Sequence, residues 1–158
     1  MKAVRVPMES LIQVILLQLE TAKKANLTVT GFSMRPMLRQ YKDSVVLVPI
    51  EGTLQPGDIA LYLRDNGSYV LHRVIRLTEE GYLFCGDNQA QLEPVRQDQL
   101  IAAVTGYIKN GQHRNLDGLC YGLYRFIWVK LFFLRKYYIW LRRRFGRLHS
   151  RLKRRFGK

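Results

Sequence analysis

The sequence predicts a mainly β protein with one α-helix at its N-terminal end and a basic, aromatic helix at its C-terminal end. Three observations predict this class. Six short runs rich in β-branched residues lie within about 80 positions, turn-forming residues separate them, and helix-favouring segments lie at the two ends. The chain has 158 residues, 47% hydrophobic and 24% charged, which is the composition of one globular domain with an appendage.

The N-terminal helix is predicted over residues 7–25. Pro7 lies in the first turn, where its missing N–H costs little, and Leu11, Ile15 and Leu19 recur every four residues. The apolar stretch is shorter than the about 20 residues that span a bilayer, and no small-residue cleavage site follows it. We therefore expect a helix packed on the body of the protein, not a membrane anchor or a cleavable signal.

The six predicted strands occupy residues 27–30, 44–48, 58–63, 68–77, 81–85 and 100–108. The Asp-Asn-Gly sequence at 65–67 predicts a tight hairpin, because these residue types tolerate positive φ. Gly57 precedes the third strand, Gly81 ends a second turn, and Pro94 is expected in a loop.

The charge is distributed unevenly along the chain. The net charge of +14 comes from 26 basic and 12 acidic residues, but from Arg125 onward there are 13 basic residues and no acidic one. We divide the chain into a β domain over residues 1–111 and a C-terminal extension over residues 112–158. The dense positive charge of the extension attracts any polyanion and does not choose among a membrane, a nucleic acid and an acidic protein.

An apolar, aromatic helix is predicted within the extension. Arg125, Lys130 and Arg135 interrupt its apolar run, and each would cost roughly 2.5–3.5 kcal/mol near the centre of a bilayer. A location on the membrane surface is therefore favoured over a crossing helix. We expect the segment that begins at Gly118 and ends at Lys158 to lie on an anionic membrane surface, so that the protein is membrane-associated.

Aromatic side chains favour this interpretation of the extension. Trp128, Tyr137, Tyr138 and Trp140 can lie at the water boundary while neighbouring Arg and Lys side chains reach the phosphates. Two alternatives stay open: a helix that packs on the body and trails a solvated basic end, and a nucleic-acid-binding tail. Nucleic acid is the less favoured partner, because the aromatic content suits lipid better.

Three short segments of the β domain carry groups that can work together in catalysis. They are Gly31-Phe32-Ser33-Met34-Arg35-Pro36, His72-Arg73-Val74-Ile75 and Gly86-Asp87-Asn88. Taken singly, each segment is commonplace. Together they supply a hydroxyl nucleophile, a base of near-neutral pKa and a carboxylate, which is what acyl transfer by serine requires.

These segments resemble, in order and spacing, the motifs of type I signal peptidases. The resemblance covers roughly residues 28–109. Its landmarks are Gly-x-Ser-Met-x-Pro from Gly31, a strand after Asp43, Pro-Gly-Asp from Pro56, His-Arg-Val-Ile from His72 and Gly-Asp-Asn from Gly86. In that superfamily the base is lysine in the usual bacterial enzymes and histidine in the endoplasmic-reticulum-type branch, which His72 matches.

The resemblance implies a signal-peptidase-like β catalytic domain in which Ser33 is the nucleophile, His72 the general base and Asp87 the orienting acid. The residues implied to form the substrate and oxyanion region are Gly31, Phe32, Met34 and Pro36. The implied substrate is a peptide or preprotein that binds as an added strand and is cut after small residues at the first and third positions before the scissile bond. An imidazole base predicts activity that falls as the pH drops through about 6.5.

The chain departs from the family pattern in two ways. Signal peptidases commonly carry a serine two positions before the nucleophile, which helps to hold the oxyanion, but here that position is Gly31. The oxyanion would rely on backbone N–H groups, including that of Ser33. The family is also normally anchored by an N-terminal transmembrane segment, whereas this membrane-suited segment lies at the C-terminal end.

Two functions from other classes compete with the peptidase. The first is a self-cleaving repressor-like or nucleic-acid-binding protein, although only one helix fits before Gly31, too few for a helix-turn-helix. The second is a catalytically silent module that binds extended peptides. No cofactor or metal is expected, because Cys85, Cys120, His113 and His149 show no ligand spacing.

Overall fold

The computed structural model describes residues 8–135, 137–139 and 141. The predicted helical positions Pro7, Lys136 and Trp140 and the basic stretch 142–158 lie outside the described residues. Helix α1 spans Met8–Ala22, within the predicted 7–25, and buries Ile12, Ile15 and Leu19 against the sheet.

The described part of the chain contains eight strands in one antiparallel sheet, so the prediction of a mainly β protein is confirmed. The strands are β1 (Ala25–Thr28), β2 (Ser44–Val48), β3 (Ile59–Leu63), β4 (Tyr69–Thr78), β5 (Gly81–Cys85), β6 (Glu93–Val95), β7 (Leu100–Lys109) and β8 (Gln112–Asn115). Their order in the sheet is β1-β2-β7-β3-β4-β5-β6, and β8 pairs with β7. A short 3₁₀ helix, Gln97–Gln99, precedes β7.

Strands β6 and β8 do not follow from the sequence pattern. Pro94 lies in β6 and not in a loop, and it is tolerated because β6 is an edge strand of only three residues. Strand β8 begins one residue after the turn at Asn110 and Gly111, both of which have positive φ. The hairpin between β7 and β8 therefore extends across residue 111, where the sequence analysis divides the chain.

The core has two parts, one on each side of β3. Four of the five residues of β3 are buried, as expected of a central strand. Ile59 and Leu61 belong to the part covered by α1. Ala60 and Tyr62 face the other part, which also contains Phe84 of β5. The side chain of Tyr62 therefore enters the core on the side away from α1.

The C-terminal helix lies against the sheet domain. Helix α2 spans Leu119–Lys130, and helical positions continue at 132–135, 137–139 and 141. Tyr121, Tyr124 and Trp128 all form hydrogen bonds to groups of the sheet domain. No helix among the described residues is long and apolar enough to cross a membrane.

Candidate active site

The predicted nucleophile Ser33 lies on a tight turn between β1 and β2. Met34 is buried beneath the turn, and its carbonyl accepts a hydrogen bond of 3.0 Å from the N–H of Leu38. The peptide bond before Pro36 is cis. Phe32 remains half exposed, with the Arg35 guanidinium 4.7 Å from the centre of its ring. The turn thus holds Ser33 between a buried methionine and an exposed aromatic residue.

The Gly-Asp-Asn segment is bound directly to this turn. The N–H of Asn88 donates to the carbonyl of Ser33 at 2.6 Å, and the Asn88 side-chain amide donates to the carbonyl of Phe32 at 3.3 Å. The loop after β5 therefore fixes the backbone of the turn on which Ser33 lies.

Gly86 lies close to both the predicted nucleophile and the predicted base, although no hydrogen bond joins Ser33 to His72 among the described residues. A Cβ atom on Gly86 would lie 2.9 Å from Cβ of Ser33 and 3.0 Å from Nε2 of His72. It would also lie 2.8 Å from the carbonyl oxygen of Ser33. Only a residue without a side chain fits between these groups, so Gly86 is what allows the predicted nucleophile and base to approach.

The other ring nitrogen of His72 is held by Tyr62 and Glu93, which the sequence analysis did not single out. The Nδ1 atom of His72 lies 3.0 Å from the Tyr62 hydroxyl, and that hydroxyl donates to the Glu93 carboxylate at 2.9 Å. Because the tyrosine proton goes to the carboxylate, the tyrosine oxygen accepts from Nδ1–H. Nε2 then carries the lone pair on the side of Ser33, which is the tautomer that a general base needs.

Arg64 anchors the Glu93 end of this chain of hydrogen bonds. Its Nε and a terminal nitrogen both donate to the Glu93 carboxylate. Burial would raise the pKa of Glu93, but the hydrogen bonds from Arg64 and Tyr62 outweigh it and lower the pKa below its usual range. Burial, followed by the charge of Glu93, raises the pKa of Tyr62. At neutral pH Glu93 is therefore an ionised carboxylate and Tyr62 a neutral phenol.

Burial lowers the pKa of His72 to about 4. Its side chain is almost completely enclosed, and desolvation of the imidazolium exceeds the opposing attraction of the Glu93 carboxylate. The imidazole is consequently neutral and able to accept a proton across the physiological pH range.

Asp87 does not hold the imidazole, contrary to the role that the resemblance implies. Its carboxylate accepts two hydrogen bonds of 2.9 Å from the buried Arg73 guanidinium and one of 2.8 Å from the Tyr124 hydroxyl. Among the described residues no hydrogen bond joins Asp87 to His72. Both side chains are fully buried, so the Asp87 carboxylate is held in its ion pair with Arg73. The residues that contact Nδ1 of His72 are instead Tyr62 and, 3.8 Å away, Glu93.

Helix α2 completes the surroundings of the Arg73–Asp87 pair. Tyr121 accepts a hydrogen bond of 2.7 Å from Arg73, and the Trp128 indole N–H donates to the Asp87 carbonyl at 3.0 Å. Tyr124 and Trp128 stack with ring centres 4.4 Å apart. The Trp128 side chain therefore contacts the loop that follows β5, whereas the sequence analysis expected it at the water boundary of a membrane.

A cleft of about 540 Å³ opens beside Ser33 and His72. Two strand edges line it. Among the described strands, β1 pairs only with β2, and β4 pairs with β5 only from Arg73 onward, so residues 69–72 are paired on one side. Unpaired strand edges offer backbone N–H and C=O groups to an extended peptide.

In the oxyanion region that the resemblance implies, a backbone N–H group is available. Among the described residues, the N–H of Ser33 has no hydrogen-bond acceptor. Gly31 also lines the cleft, and a Cβ atom placed on it would lie 4.0 Å from Oγ of Ser33. The position of Gly31, where signal peptidases commonly carry a serine, therefore adjoins Ser33 and is open.

Within the described residues, no group of three or more His, Cys, Asp or Glu side chains is arranged to hold a metal ion. Cys85 and Cys120 are free thiols, and burial raises the pKa of Cys85 to about 11. Comparison with known proteins identifies no relative: no family model, no curated protein and no solved structure matches this chain.

Proposed function

We propose that this protein is a serine endopeptidase of the signal-peptidase type, which removes a signal or leader segment from a peptide or preprotein. The observation that carries the proposal is the approach of Ser33 and His72 on either side of Gly86, beside a cleft lined by two open strand edges. Neither feature alone indicates catalysis, but a hydroxyl, a neutral imidazole and an unpaired edge in one place suit hydrolysis of an extended peptide.

In the proposed mechanism His72 acts as a general base. Its Nε2 accepts the hydroxyl proton of Ser33 as the serine oxygen attacks the substrate carbonyl carbon. The tetrahedral intermediate collapses, the C–N bond breaks, and His72 gives the proton to the departing amine. A water molecule, deprotonated by the same imidazole, then hydrolyses the acyl-serine ester and regenerates the hydroxyl.

Tyr62 and Glu93 act as positioning residues in this mechanism. The hydrogen bond from Nδ1–H to Tyr62 fixes the ring, and the Glu93 carboxylate supports the positive charge that forms on the imidazole when it takes the proton. The N–H of Ser33 is a donor for the oxyanion, since no described group accepts from it. Asp87 and Arg73 support the same site at a distance, by fixing the loop that binds the Ser33 turn.

The proposed substrate lies as an added strand between β1 and the N-terminal half of β4. Leu27, Val29, Leu61 and Leu71 supply apolar surface in the cleft. The resemblance to signal peptidases adds the expectation of small residues at the first and third positions before the scissile bond, and a signal-peptidase-like arrangement of the sheet.

A library of extended peptides with small residues at those two positions tests the proposal, with mass spectrometry to locate the cleaved bond. We expect cleavage by the wild type and none by the Ser33→Ala variant, while Ser44→Ala, a serine on β2, cleaves normally. Binding of peptides without any cleavage would favour the silent binding module. Cleavage that persists in Ser33→Ala would refute the serine mechanism.

A further inference from the structure

The C-terminal helix has apolar side chains on two opposite faces. One face lies on the sheet domain through Tyr121, Tyr124 and Trp128, and further along the same face Arg135 and Ile139 are buried. Leu131 ends α2 with a non-helical backbone, and the hydrogen bond from the N–H of Arg135 to the carbonyl of Leu131 belongs to the helical positions that follow. Both helical stretches turn apolar side chains away from the domain.

We name this surface the outer face. Its principal members are Leu119, Leu123, Phe126, Phe133, Leu134 and Tyr137, each between 47% and 95% exposed. At 100° per residue Leu119, Leu123 and Phe126 fall within an arc of about 60° opposite the docked face of α2. In the helical positions after Leu131, the other three members lie opposite the buried Arg135 and Ile139. A row of large exposed apolar side chains is unusual on a soluble surface and marks a site of interaction.

The charge around the outer face indicates its partner. The exposed Lys130 lies in the middle of the arc, and Arg125 is also exposed. From Arg125 to the C-terminus the sequence has 13 basic residues and no acidic one. A second copy of the chain would bring an equal set of positive charges against this face, and the two sets would repel each other. A nucleic acid would satisfy the charge but leave the leucine and phenylalanine side chains in water.

We propose that the outer face binds the headgroup region of an anionic lipid bilayer. The leucine and phenylalanine side chains enter the boundary between headgroups and acyl chains, and the basic residues contact the lipid phosphates. The helix then lies between the membrane and the sheet domain. Because a helix with its side chains is about 10–12 Å across, the loop of Asp87 is held roughly that far from the lipid surface.

This inference does not depend on peptidase activity, so its test uses only binding. The full-length protein is sedimented with phosphatidylcholine vesicles that contain about a third phosphatidylglycerol, and with vesicles of phosphatidylcholine alone. We expect the triple variant Leu123→Ser, Phe126→Ser, Phe133→Ser to bind the anionic vesicles about tenfold or more weakly than the wild type. The matched control replaces Val14, Leu16 and Leu17, the exposed apolar residues of α1, by serine and should bind as the wild type does.

Circular dichroism and chemical unfolding confirm that both triple variants remain folded. Weaker binding of the outer-face variant alone supports the proposal. Equal binding of this variant and the wild type would overturn it, because charge alone would then account for the affinity. The proposal also fails if the α1 control loses binding instead, if the wild type dimerises through the outer face, or if it binds duplex DNA in preference to anionic vesicles at physiological salt.

Discussion

The Nδ1 atom of His72 lies 3.0 Å from the hydroxyl oxygen of Tyr62, and this contact sets which ring nitrogen faces Ser33. The tyrosine proton is directed to Glu93, 2.9 Å from the hydroxyl, so the imidazole must be the donor at Nδ1. The proposed base is thus oriented by a neutral phenol that is hydrogen-bonded to a carboxylate. A carboxylate in direct contact with the ring is not needed to fix the tautomer.

Replacing Tyr62 by phenylalanine or Glu93 by glutamine should lower kcat/KM on the order of 10²-fold, mainly through kcat, because the ring loses its fixed tautomer. Nitrogen-15 NMR of His72 provides a readout that a merely structural role would not change. We expect Nδ1–H in the wild type and a mixture of tautomers in both variants.

The matched control is Tyr82→Phe, since Tyr82 is buried in the same core cluster and also packs on Phe84. This variant should retain wild-type activity and the wild-type His72 spectrum. A wild-type spectrum with the proton on Nε2 would exclude the proposed relay, even if the protein cleaves peptides.

On the acid side of the pH profile, kcat/KM should fall at a pH well below the ordinary pKa of histidine. Because burial lowers the pKa of His72 to about 4, kcat/KM of the free enzyme should stay level from pH 8 down to about 6 and fall only as the pH approaches 4. This prediction differs from the limb near 6.5 that an unperturbed histidine would give. Observation of the limb at 6.5 would mean that the imidazole is more hydrated than its enclosure indicates.

The free energy of unfolding should also depend on the protonation of His72 as the pH falls. The folded-state pKa of His72 lies below its unfolded value of about 6.5, so the unfolded chain takes up the proton first as the pH falls. This group therefore contributes stability above pH 6.5 that is lost between about 6.5 and 4, at up to about 1.4 kcal/mol per pH unit. Urea unfolding at several pH values measures the slope, and His72→Gln should reduce it.

Adding a methyl group at Gly86 should block the site. In Gly86→Ala the new Cβ would meet Ser33 and Nε2 of His72 at 3.0 Å or less, so the nucleophile and the base must move apart. We expect a loss of activity on the order of 10²-fold and a destabilisation of about 1–3 kcal/mol. Gly122→Ala is the control, because its Cβ meets nothing within 4 Å. Full activity in Gly86→Ala would contradict the geometry of the site.

Loss of the Asp87 charge should change the free energy of unfolding more than it changes the tautomer of His72. Asp87→Asn leaves the fully buried Arg73 guanidinium without its counter-ion, which costs about 3–5 kcal/mol of unfolding free energy. Asp98→Asn breaks an exposed pair with Arg96 and should leave the free energy of unfolding almost unchanged. If Asp87→Asn changed the His72 tautomer without loss of stability, Asp87 would be the orienting acid after all.

The motifs of the sequence predict much of the site, because Ser33, His72 and Gly86 lie on the turn, strand and loop that those motifs mark. Tyr62 could have been found from the hairpin, since the turn at 65–67 sets Ala60 opposite His72 and places Tyr62 two residues further on the same face. Glu93 could not have been found from the sequence, because it precedes a proline in a segment without strand periodicity. Its role depends on how a three-residue edge strand is placed.

Docking of the C-terminal helix on the body was one of the alternatives that the sequence left open, but sequence reasoning could not choose it over the membrane surface. Its aromatic residues are of types that contact both lipid and protein. Tyr121, Tyr124 and Trp128 face the sheet domain because they form hydrogen bonds to the buried Arg73–Asp87 pair, whose position the sequence does not reveal. The hydrophobic pattern predicts a helix with apolar surface but not which face meets the protein.

The most direct test of the central claim, that His72 activates Ser33 as a nucleophile, is to trap the acyl-enzyme. A peptide that the wild type cleaves is mixed with the enzyme, the reaction is quenched with acid during turnover, and the protein is digested for mass spectrometry. The account predicts an ester between Ser33 and the N-terminal part of the substrate, absent from Ser33→Ala and strongly reduced in His72→Gln. An acyl group on another residue, or equal labelling of Ser33 in His72→Gln, would contradict it.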